Sequence, residues 1–398
     1  MRIAPKVDHL SDILPDEPLL MMGAGPVPIP NSVSSANGIV INHLGDAMSR
    51  VIEQIKVMGR YIFQTDSPWL MGVAGPGSAA MEMAVSNLIW PGTKVLCVCN
   101  GFFSKRLAEM SRRVGGVVEI ITVPEGEGVN PDVISKKLEI FNPDILTIVQ
   151  GETSHTTHNT DLGEVSKLAG QIGCLVIVDA VCTLSTMELP MDAWGVDAVI
   201  TGGQKGLSSI PGVSLVAFSE CAWRRVESRR APMVHWTLDA KLATKFWHDA
   251  SYHYTAPVSG LLALHEAMRL VCHETLELRF ERHRVSSQAL QSGIEALGLR
   301  LYVPKAYRLN SVVGVKLPQN IEAKTVCAHI AKRHRVEIAG SFGPPIIRIG
   351  QMGEQCRAHN LFRTLHALGS TFNELGCDLN VPEGMAQLEN YLLKSDFA

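Results

Sequence analysis

Residues 197–215 read Asp-Ala-Val-Ile-Thr-Gly-Gly-Gln-Lys-Gly-Leu-Ser-Ser-Ile-Pro-Gly-Val-Ser-Leu, and the interpretation of the chain starts from this stretch. The apolar run at 198–200 predicts a short buried strand. Small residues follow at 201–203, and Lys205 comes after them. A lysine in this setting is well placed to meet a carbonyl compound, although an ordinary loop lysine is the simpler alternative.

A carboxylate ends another apolar run just upstream. Residues 174–178 are apolar and lead directly to Asp179. A carboxylate at the carboxyl end of a parallel strand points into the crevice where such sheets bind ligands. Asp179 and Lys205 together suggest a pyridoxal phosphate site, because the lysine can hold the aldehyde as a Schiff base. The acid can keep the pyridine nitrogen protonated, so that the ring accepts electrons.

Length and composition limit the class of protein. A chain of 398 residues exceeds one ordinary core, so we expect two domains. The charged fraction of 19% and the formal charge of −3 predict a globular protein with no nucleic-acid or membrane partner. No apolar run approaches the roughly 20 residues of a membrane helix. The nine cysteines are scattered, as expected of a reduced, cytoplasmic protein.

Apolar runs and helix-period stretches alternate through residue 218. We predict strands at 95–98, 117–123 and 145–149, and helices at 131–141 and 162–172. The alternation predicts an α/β fold with a mainly parallel sheet. A long helix is expected over 259–297, broken near His273, and it would bridge two domains. The expected organisation is an N-terminal arm at 1–20, a large cofactor-binding domain at 21–270 and a smaller α+β domain at 271–398.

Three further positions are candidate site residues, each with a simpler alternative. The glycine loop at 74–78 leads into a helix whose free amides and dipole suit a phosphate, but Ser78 is equally a plain N-cap. Phe103 could stack on a planar cofactor or belong to the core. Arg348 lies in the apolar run 346–350, where a guanidinium needs a partner, either a substrate carboxylate or a structural one.

Metal chemistry is not expected. His155 and His158 are three residues apart in a Thr-rich loop, but no third ligand accompanies them. Cys97 and Cys99 follow the alternation of a strand better than they fit a zinc site, which needs four clustered ligands.

The segment around Lys205 resembles the signature of class V aminotransferases. Its parts in this chain are 196–199, Gly202-Gly203, Gln204-Lys205 and the run that opens at Gly212. Stretches over nearly the whole chain are similar to the alanine–glyoxylate and serine–pyruvate aminotransferase branch of the class. The C-terminal third also resembles the (S)-ureidoglycine–glyoxylate aminotransferases, as in 280–283 and 337–339.

The resemblance implies a type I pyridoxal phosphate-dependent transferase fold and a homodimer with active sites at the subunit interface. Lys205 would be the Schiff-base lysine and Asp179 the partner of the pyridine nitrogen. The resemblance assigns the phosphate to Gly77, Ser78 and Gln204, with Tyr252 and Thr255 reaching it from the neighbouring subunit. It assigns the ring to Thr153, Val181 and Phe103, and the substrate to Gly25, His43 and Arg348, with Arg348 on the carboxylate.

The implied reaction moves an amino group from alanine or serine to glyoxylate or pyruvate by a ping-pong mechanism. Residues 155–158 replace the Thr-Gly that is usual in the family, so the donor stays open. Pyridoxamine–pyruvate, aspartate–glyoxylate and ureidoglycine–glyoxylate aminotransferases are alternatives, although Tyr252 and His43 stand where ureidoglycine enzymes carry asparagine and glutamine. A non-catalytic binding protein of the same fold is the alternative from another class, and the joint presence of Lys205, Asp179 and Arg348 argues against it.

Overall fold

The computed structural model describes residues 2–395. Strands β1–β14 are Leu20–Met21, Leu70–Ala74, Lys94–Cys99, Val117–Thr122, Ile145–Val149, Gly151–Glu152, Thr157–His158, Leu175–Asp179, Ala198–Ile200, Val213–Phe218, Val312–Lys316, Val336–Glu337, Ala339–Gly340 and Ile346–Gly350. Helices α1–α15 are Leu10–Ile13, Asn31–Asn37, Asp46–Phe63, Gly77–Leu88, Phe102–Arg113, Pro131–Phe141, Leu162–Gln171, Met191–Trp194, Glu220–Ser228, Ala240–Trp247, Val258–Glu274, Leu276–Ala296, Ala323–His334, Ala358–Glu374 and Val381–Leu393.

A seven-stranded sheet forms the centre of the molecule, in the order β2-β10-β9-β8-β5-β3-β4. The five strands from β9 to β4 run parallel, while β10 is antiparallel to both of its neighbours. The middle strands β5 and β9 are buried along their whole length and are apolar except for Thr147, which is typical of a sheet covered on both faces. The predicted α/β fold with a mainly parallel sheet is therefore confirmed.

The strand order creates a crevice at the carboxyl ends of the parallel strands, which form one edge of this sheet. β4 and β5 lie on opposite sides of β3, so the connections after β3 and β5 diverge at the carboxyl ends of the strands. Asp179 is the last residue of β8, and in register it faces Val149 of β5 and Ile200 of β9. The loop that carries Lys205 leaves β9 at the same edge.

A second, antiparallel sheet has the order β11-β14-β13. Arg348 lies on its central strand, paired in register with Gly314 and Ala339. The buried side chains fall into two large apolar clusters. One gathers residues between Met48 and Leu276, and the other gathers Met22 with residues between Val285 and Leu392.

The expected long helix is two helices, α11 and α12, separated by Thr275. The φ angle of Thr275 is +68°, outside the helical range, and its hydroxyl accepts from the backbone N–H of Leu278 at 3.5 Å. Thr275 thus ends one helix and caps the next, just beyond the expected break near His273. Across residues 2–395, no helix has both the length and the apolar character that crossing a bilayer requires.

Candidate active site

A cavity of about 290 Å³ lies at the carboxyl ends of the parallel strands. The sequence-predicted site residues in its wall are Gly25, Gly77, Ser78, Phe103, Thr153, Asp179, Val181, Gln204 and Lys205. Segments that are far apart in the chain therefore meet at one place. Other residues of the wall include Arg106 and Cys182, which the sequence did not single out.

Lys205 lies in the cavity wall, where the loop that contains Ala24 and Gly25 contacts its amine. Its Nζ donates to the carbonyl oxygen of Ala24. A Cβ on Gly25 would lie 2.5 Å from Nζ, so only glycine leaves room for the amine there. Burial lowers the pKa of Lys205. A larger share of neutral amine is what a nucleophile and general base requires.

Asp179 is buried near the lysine, and its carboxylate accepts from the backbone N–H of Val181 at 2.9 Å. Burial raises the pKa of Asp179 to about 7, and the positive charges of Arg106 and Lys205 oppose that rise. A protonated ring nitrogen placed against this carboxyl would favour the ionised form in the same way.

Neutral hydrogen-bond donors gather at the N-terminus of α4, where the first backbone amides have no helical acceptor. A Cβ on Gly202 would lie 3.3 Å from the backbone nitrogen of Gly77 and 3.0 Å from Oε1 of Gln204. Glycine at 202 thus lets the loop before Lys205 approach this helix end.

The side-chain oxygen of Gln204 is buried and has no hydrogen-bond partner within residues 2–395. A half-turn of the amide exchanges its oxygen and its NH₂ group, so Gln204 can offer a donor to an anion at the end of α4. Pyridoxal phosphate needs an amine that reacts with its aldehyde, an acid for its ring nitrogen and a binding site for its phosphate. Lys205, Asp179 and the N-terminus of α4 supply these three groups. The residues present therefore fit this cofactor.

A buried glutamate joins the loop after β5 to the start of α5. The carboxylate of Glu152 accepts from Ser104 Oγ at 2.9 Å and from Ser154 Oγ at 2.6 Å. It also accepts from the backbone N–H of Phe103 at 3.3 Å. A carboxylate at a helix N-terminus is favourable, and here it sets the positions of Phe103 and Thr153 in the cavity wall.

Arg348 lies behind the cavity wall and is 5% exposed. Its Nε donates to the carbonyl of Gly340 at 2.7 Å, and its Nη1 donates to the carbonyl of Thr153 at 3.0 Å. Among the ion pairs of residues 2–395, none involves Arg348. The structural carboxylate considered from the sequence is therefore not its partner; backbone carbonyls hold this guanidinium.

Besides Arg348, three predicted site residues lie outside this cavity wall: the exposed Tyr252 and Thr255 and the half-buried His43. Tyr252 is 56% exposed, and Thr255 is also exposed. The rings of His43 and Tyr252 meet edge to face, with centroids 6.0 Å apart, and His43 Nδ1 accepts from the backbone N–H of Ala256 at 3.3 Å. None of these three side chains belongs to the cavity wall that contains Lys205.

His155 and His158 have local protein surroundings that need no metal ion. His155 Nδ1 lies 2.9 Å from Ser154 Oγ, and its Nε2 lies 3.6 Å from a carboxylate oxygen of Glu125. Burial lowers the pKa of His158 to about 4. In the described part of the chain, a different group could hold a metal ion, namely His329, His334 and Glu374. Arg333 lies 3.6 Å from the same carboxylate and competes for it.

Comparison with known proteins gives the family. The family model described as "Aminotransferase class-V" matches residues 32–359. The alanine–glyoxylate aminotransferase of Oryctolagus cuniculus is 32% identical, over 88% of this chain and 91% of that protein. The solved structure of ureidoglycine-glyoxylate aminotransferase from Bacillus subtilis gives a TM-score of 0.93 at 29% identity, covering 96% of this chain and 99% of the other.

The solved structure of alanine–glyoxylate aminotransferase from Nostoc sp. gives a TM-score of 0.88 at 33% identity, covering 94% of this chain and 98% of that chain. These matches extend over nearly the whole fold, and they agree with a cavity built for pyridoxal phosphate. The chain belongs to the class V aminotransferase family and is a pyridoxal phosphate-dependent aminotransferase.

Proposed function

We propose that the protein transfers an amino group from a small amino acid, alanine or serine, to a small 2-oxo acid, glyoxylate or pyruvate. The observation that carries the proposal is the meeting of Lys205 and Asp179 in one cavity, with Arg348 directly behind its wall. The similarity to alanine–glyoxylate aminotransferases supports the choice of substrates. Because the same cavity of about 290 Å³ has to hold cofactor and substrate, short side chains fit best.

Lys205 and Asp179 divide the proton chemistry between them. When bound, pyridoxal phosphate supplies an aldehyde that exchanges amines and a ring that makes the α-proton of the substrate acidic. Lys205 would act as the base: its neutral Nζ would accept that proton from the substrate Cα, and the lowered pKa of Lys205 keeps part of the amine neutral. Asp179 in its ionised form holds the proton on the ring nitrogen.

Arg348 binds the carboxylate of the amino acid or oxo acid. Its Nε and Nη1 are occupied by the carbonyls of Gly340 and Thr153. These bonds fix the plane of the guanidinium, so that its remaining N–H groups can meet a carboxylate without reorganisation. Phe103 and Val181 are the proposed contacts of the cofactor ring, and Thr153 is the proposed contact of its oxygen side. Gly25 and, from the partner subunit, His43 are the proposed substrate contacts.

We also propose a homodimer in which Tyr252 and Thr255 of the partner subunit complete the phosphate site. Both side chains are exposed, and neither belongs to the cavity wall of its own subunit. Apolar side chains around them are exposed as well, with Val40 at 81% and Trp236 at 62%. Trp236 is tied to this region by a bond from its indole N–H to the carbonyl of His253 at 3.2 Å. Exposed apolar surface of this kind is typical of an interface.

The proposed domain division is an arm at 1–20, a large domain at 21–270 and a small domain at 271–398. Two separate apolar clusters support it. Residues 20–22 are shared, because β1 pairs with β12 and Met22 packs in the second cluster. Residue 1 and residues 396–398 lie outside the described part of the chain.

The test is a donor and acceptor panel. Purified protein is loaded with pyridoxal phosphate and mixed with single amino acids in the absence of any acceptor. We expect alanine or serine to convert the bound cofactor to its amine form in one turnover, and glyoxylate or pyruvate to restore it. A Lys205→Ala variant should be inactive, while Lys332→Ala, at an exposed position of α13, should match the parent. If neither alanine nor serine converted the bound cofactor, the proposed donors would be wrong. If the protein reacted only with pyridoxamine and pyruvate, these would replace the proposed substrates.

A further inference from the structure

Arg106 lies in the cavity wall, one helical turn beyond Phe103 on α5. Its Nη1 donates to Ser78 Oγ at 2.9 Å. The central carbon of the guanidinium lies 4.9 Å from the ring centre of Phe103 and 5.1 Å from that of Phe102. A hydrogen bond and two aromatic rings therefore hold this half-buried side chain at one place in the cavity.

Within residues 2–395, Arg106 forms no direct ion pair with a carboxylate, although its charge acts at longer range on Asp179. Among residues 2–395, the ion pairs within 4.0 Å all involve other cations. Its hydrogen bond to Ser78 uses a neutral acceptor and leaves most of its five N–H donors for a ligand. A guanidinium in a partly dehydrated cavity is stabilised by an anion, so an anionic ligand suits this position.

The position of Ser78 indicates which anion this is. Ser78 lies in the first turn of α4, beside Gly77 and across from the amide of Gln204. All of these groups are neutral donors. The cationic side chains of the cavity wall are Arg106 and Lys205, and Lys205 is required for the aldehyde. A phosphate at the end of α4 would otherwise have no positive side chain from its own subunit.

We propose that Arg106 binds the phosphate of the cofactor and supplies the positive charge of the phosphate site, with Ser78 orienting its guanidinium. The inference rests on the proposed function, because it assumes that pyridoxal phosphate occupies this cavity with its phosphate at α4. It assigns a binding role to a residue beyond Gly77, Ser78 and Gln204. Arg106 also links the phosphate to Phe103, the proposed stacking residue of the ring.

The experiment compares two aldehydes that differ only by the phosphate. The full-length protein, stripped of cofactor, is titrated with pyridoxal phosphate and with pyridoxal, and lysine adduct formation is followed by visible absorbance. Arg106→Ala should weaken the affinity for pyridoxal phosphate by roughly 10- to 100-fold, as expected for a lost charged hydrogen bond. Its affinity for pyridoxal should stay within about twofold of the parent. Arg106→Lys keeps the positive charge but lacks the paired N–H donors of a guanidinium, so its loss of affinity for pyridoxal phosphate should be smaller.

Arg113→Ala is the matched control, because Arg113 lies on the same helix, 76% exposed and paired with Glu109. It should bind both aldehydes like the parent. Equal losses for the two aldehydes in Arg106→Ala would mean that Arg106 acts only through Phe103, and unchanged affinity for both would mean that it does not contact the phosphate; either result overturns the inference.

Inorganic phosphate separates this inference from the proposed function. Binding of phosphate is measured as a rise in the melting temperature of the stripped protein, which should occur in the parent and be lost in Arg106→Ala. If the parent formed no adduct with either aldehyde, the proposed function would fail, while a phosphate effect that depends on Arg106 would still support the anion site. No phosphate effect in the parent would count against the site.

Discussion

Small residues around Lys205 determine where its amine lies. Gly25 has a φ of +101° and passes so close to the lysine that a side chain there would meet Nζ. Gly206 is similarly confined, since a Cβ would lie 2.3 Å from the carbonyl oxygen of Leu184. Backbone therefore confines the amine of Lys205 at Gly25 and confines the chain directly after the lysine at Gly206. Position at this scale matters, because a misplacement of about 1 Å can reduce a reaction rate by a factor on the order of 100.

Gly25→Ala tests this confinement. The new methyl group would displace Nζ and would also place alanine at an unfavourable positive φ. We expect kcat to fall by a factor on the order of 100 in steady-state transamination, with the protein still folded by circular dichroism. Gly170→Ala is the control, because nothing lies within 4 Å of its Cβ position in α7. Full activity in Gly25→Ala would contradict the close contact.

The burial of Asp179 predicts a pH-dependent stability of the cofactor-free protein. Because burial raises its pKa from 3.8 to about 7, the folded state binds this proton more tightly than the unfolded state. The favourable contribution is complete below pH ~4 and is lost as the pH rises through about 7. Relative to Asp179→Asn, the parent should therefore lose a few kcal/mol of unfolding free energy between these pH values.

Urea unfolding of both proteins across this pH range measures the difference. With pyridoxal phosphate bound, the parent should instead gain unfolding free energy relative to Asp179→Asn as the pH rises. The reason is that the ionised carboxylate then pairs with the protonated ring nitrogen. A difference between parent and variant that does not change with pH in the cofactor-free protein would contradict the assignment of the pKa.

At the scale of single elements, apolar periodicity was sufficient to predict most of the architecture. The strand at 145–149, the helix at 131–141 and the position of Asp179 at a strand end all have the predicted bounds or lie within one residue of them. Local pattern works here because buried parallel strands are continuous apolar runs. Local pattern did not identify Arg106, although its helical spacing from Phe103 was an available signal. It also could not identify the carbonyl partners of Arg348, because Gly340 lies on the neighbouring strand β13 and Thr153 is far away in the chain.

The turn after Lys205 is held by α12. Arg279 is buried, donates to the carbonyl of Gly206 at 2.7 Å and pairs with Glu274 at 2.7 Å. A second donor to the same carbonyl is Ser185 Oγ at 2.8 Å. The first helix of the second apolar cluster therefore reaches the backbone beside the Schiff-base lysine.

Arg279→Ala should reduce both stability and catalysis. Removing one partner of a buried ion pair costs about 3 kcal/mol in urea unfolding. The freed Gly206 carbonyl should also let Lys205 move, which should lower kcat more than it raises KM. Arg284→Ala on the same helix is the control, because this exposed arginine forms a surface ion pair with Glu281 and should change stability by less than about 1 kcal/mol. Equal stability of the two variants would refute the role of Arg279.

For the whole molecule, the proposal is that the complete site requires two chains. The cavity wall of one subunit holds the lysine and the acid, while Tyr252 and Thr255 are exposed at another surface. The proposed dimer accounts for the absence of Tyr252 and Thr255 from the cavity wall of their own subunit.

Mixed dimers test the shared site. Lys205→Ala lacks its own lysine, and Tyr252→Ala should have cofactor affinity reduced roughly tenfold, as for one lost hydrogen bond to a phosphate. When the two variants are co-expressed with different tags, one of the two sites in the mixed dimer contains both native residues. Activity at limiting cofactor should then exceed that of either variant alone. A mixed dimer no better than Tyr252→Ala would show that each site is built from one chain.

The most direct measurement of the central claim is chemical trapping of the lysine. The protein is loaded with pyridoxal phosphate, reduced with borohydride, digested and analysed by mass spectrometry. We predict one modified peptide, with the cofactor attached at Lys205, and loss of that modification in Lys205→Ala. Attachment at another lysine, or no stable attachment after reduction, would contradict the account.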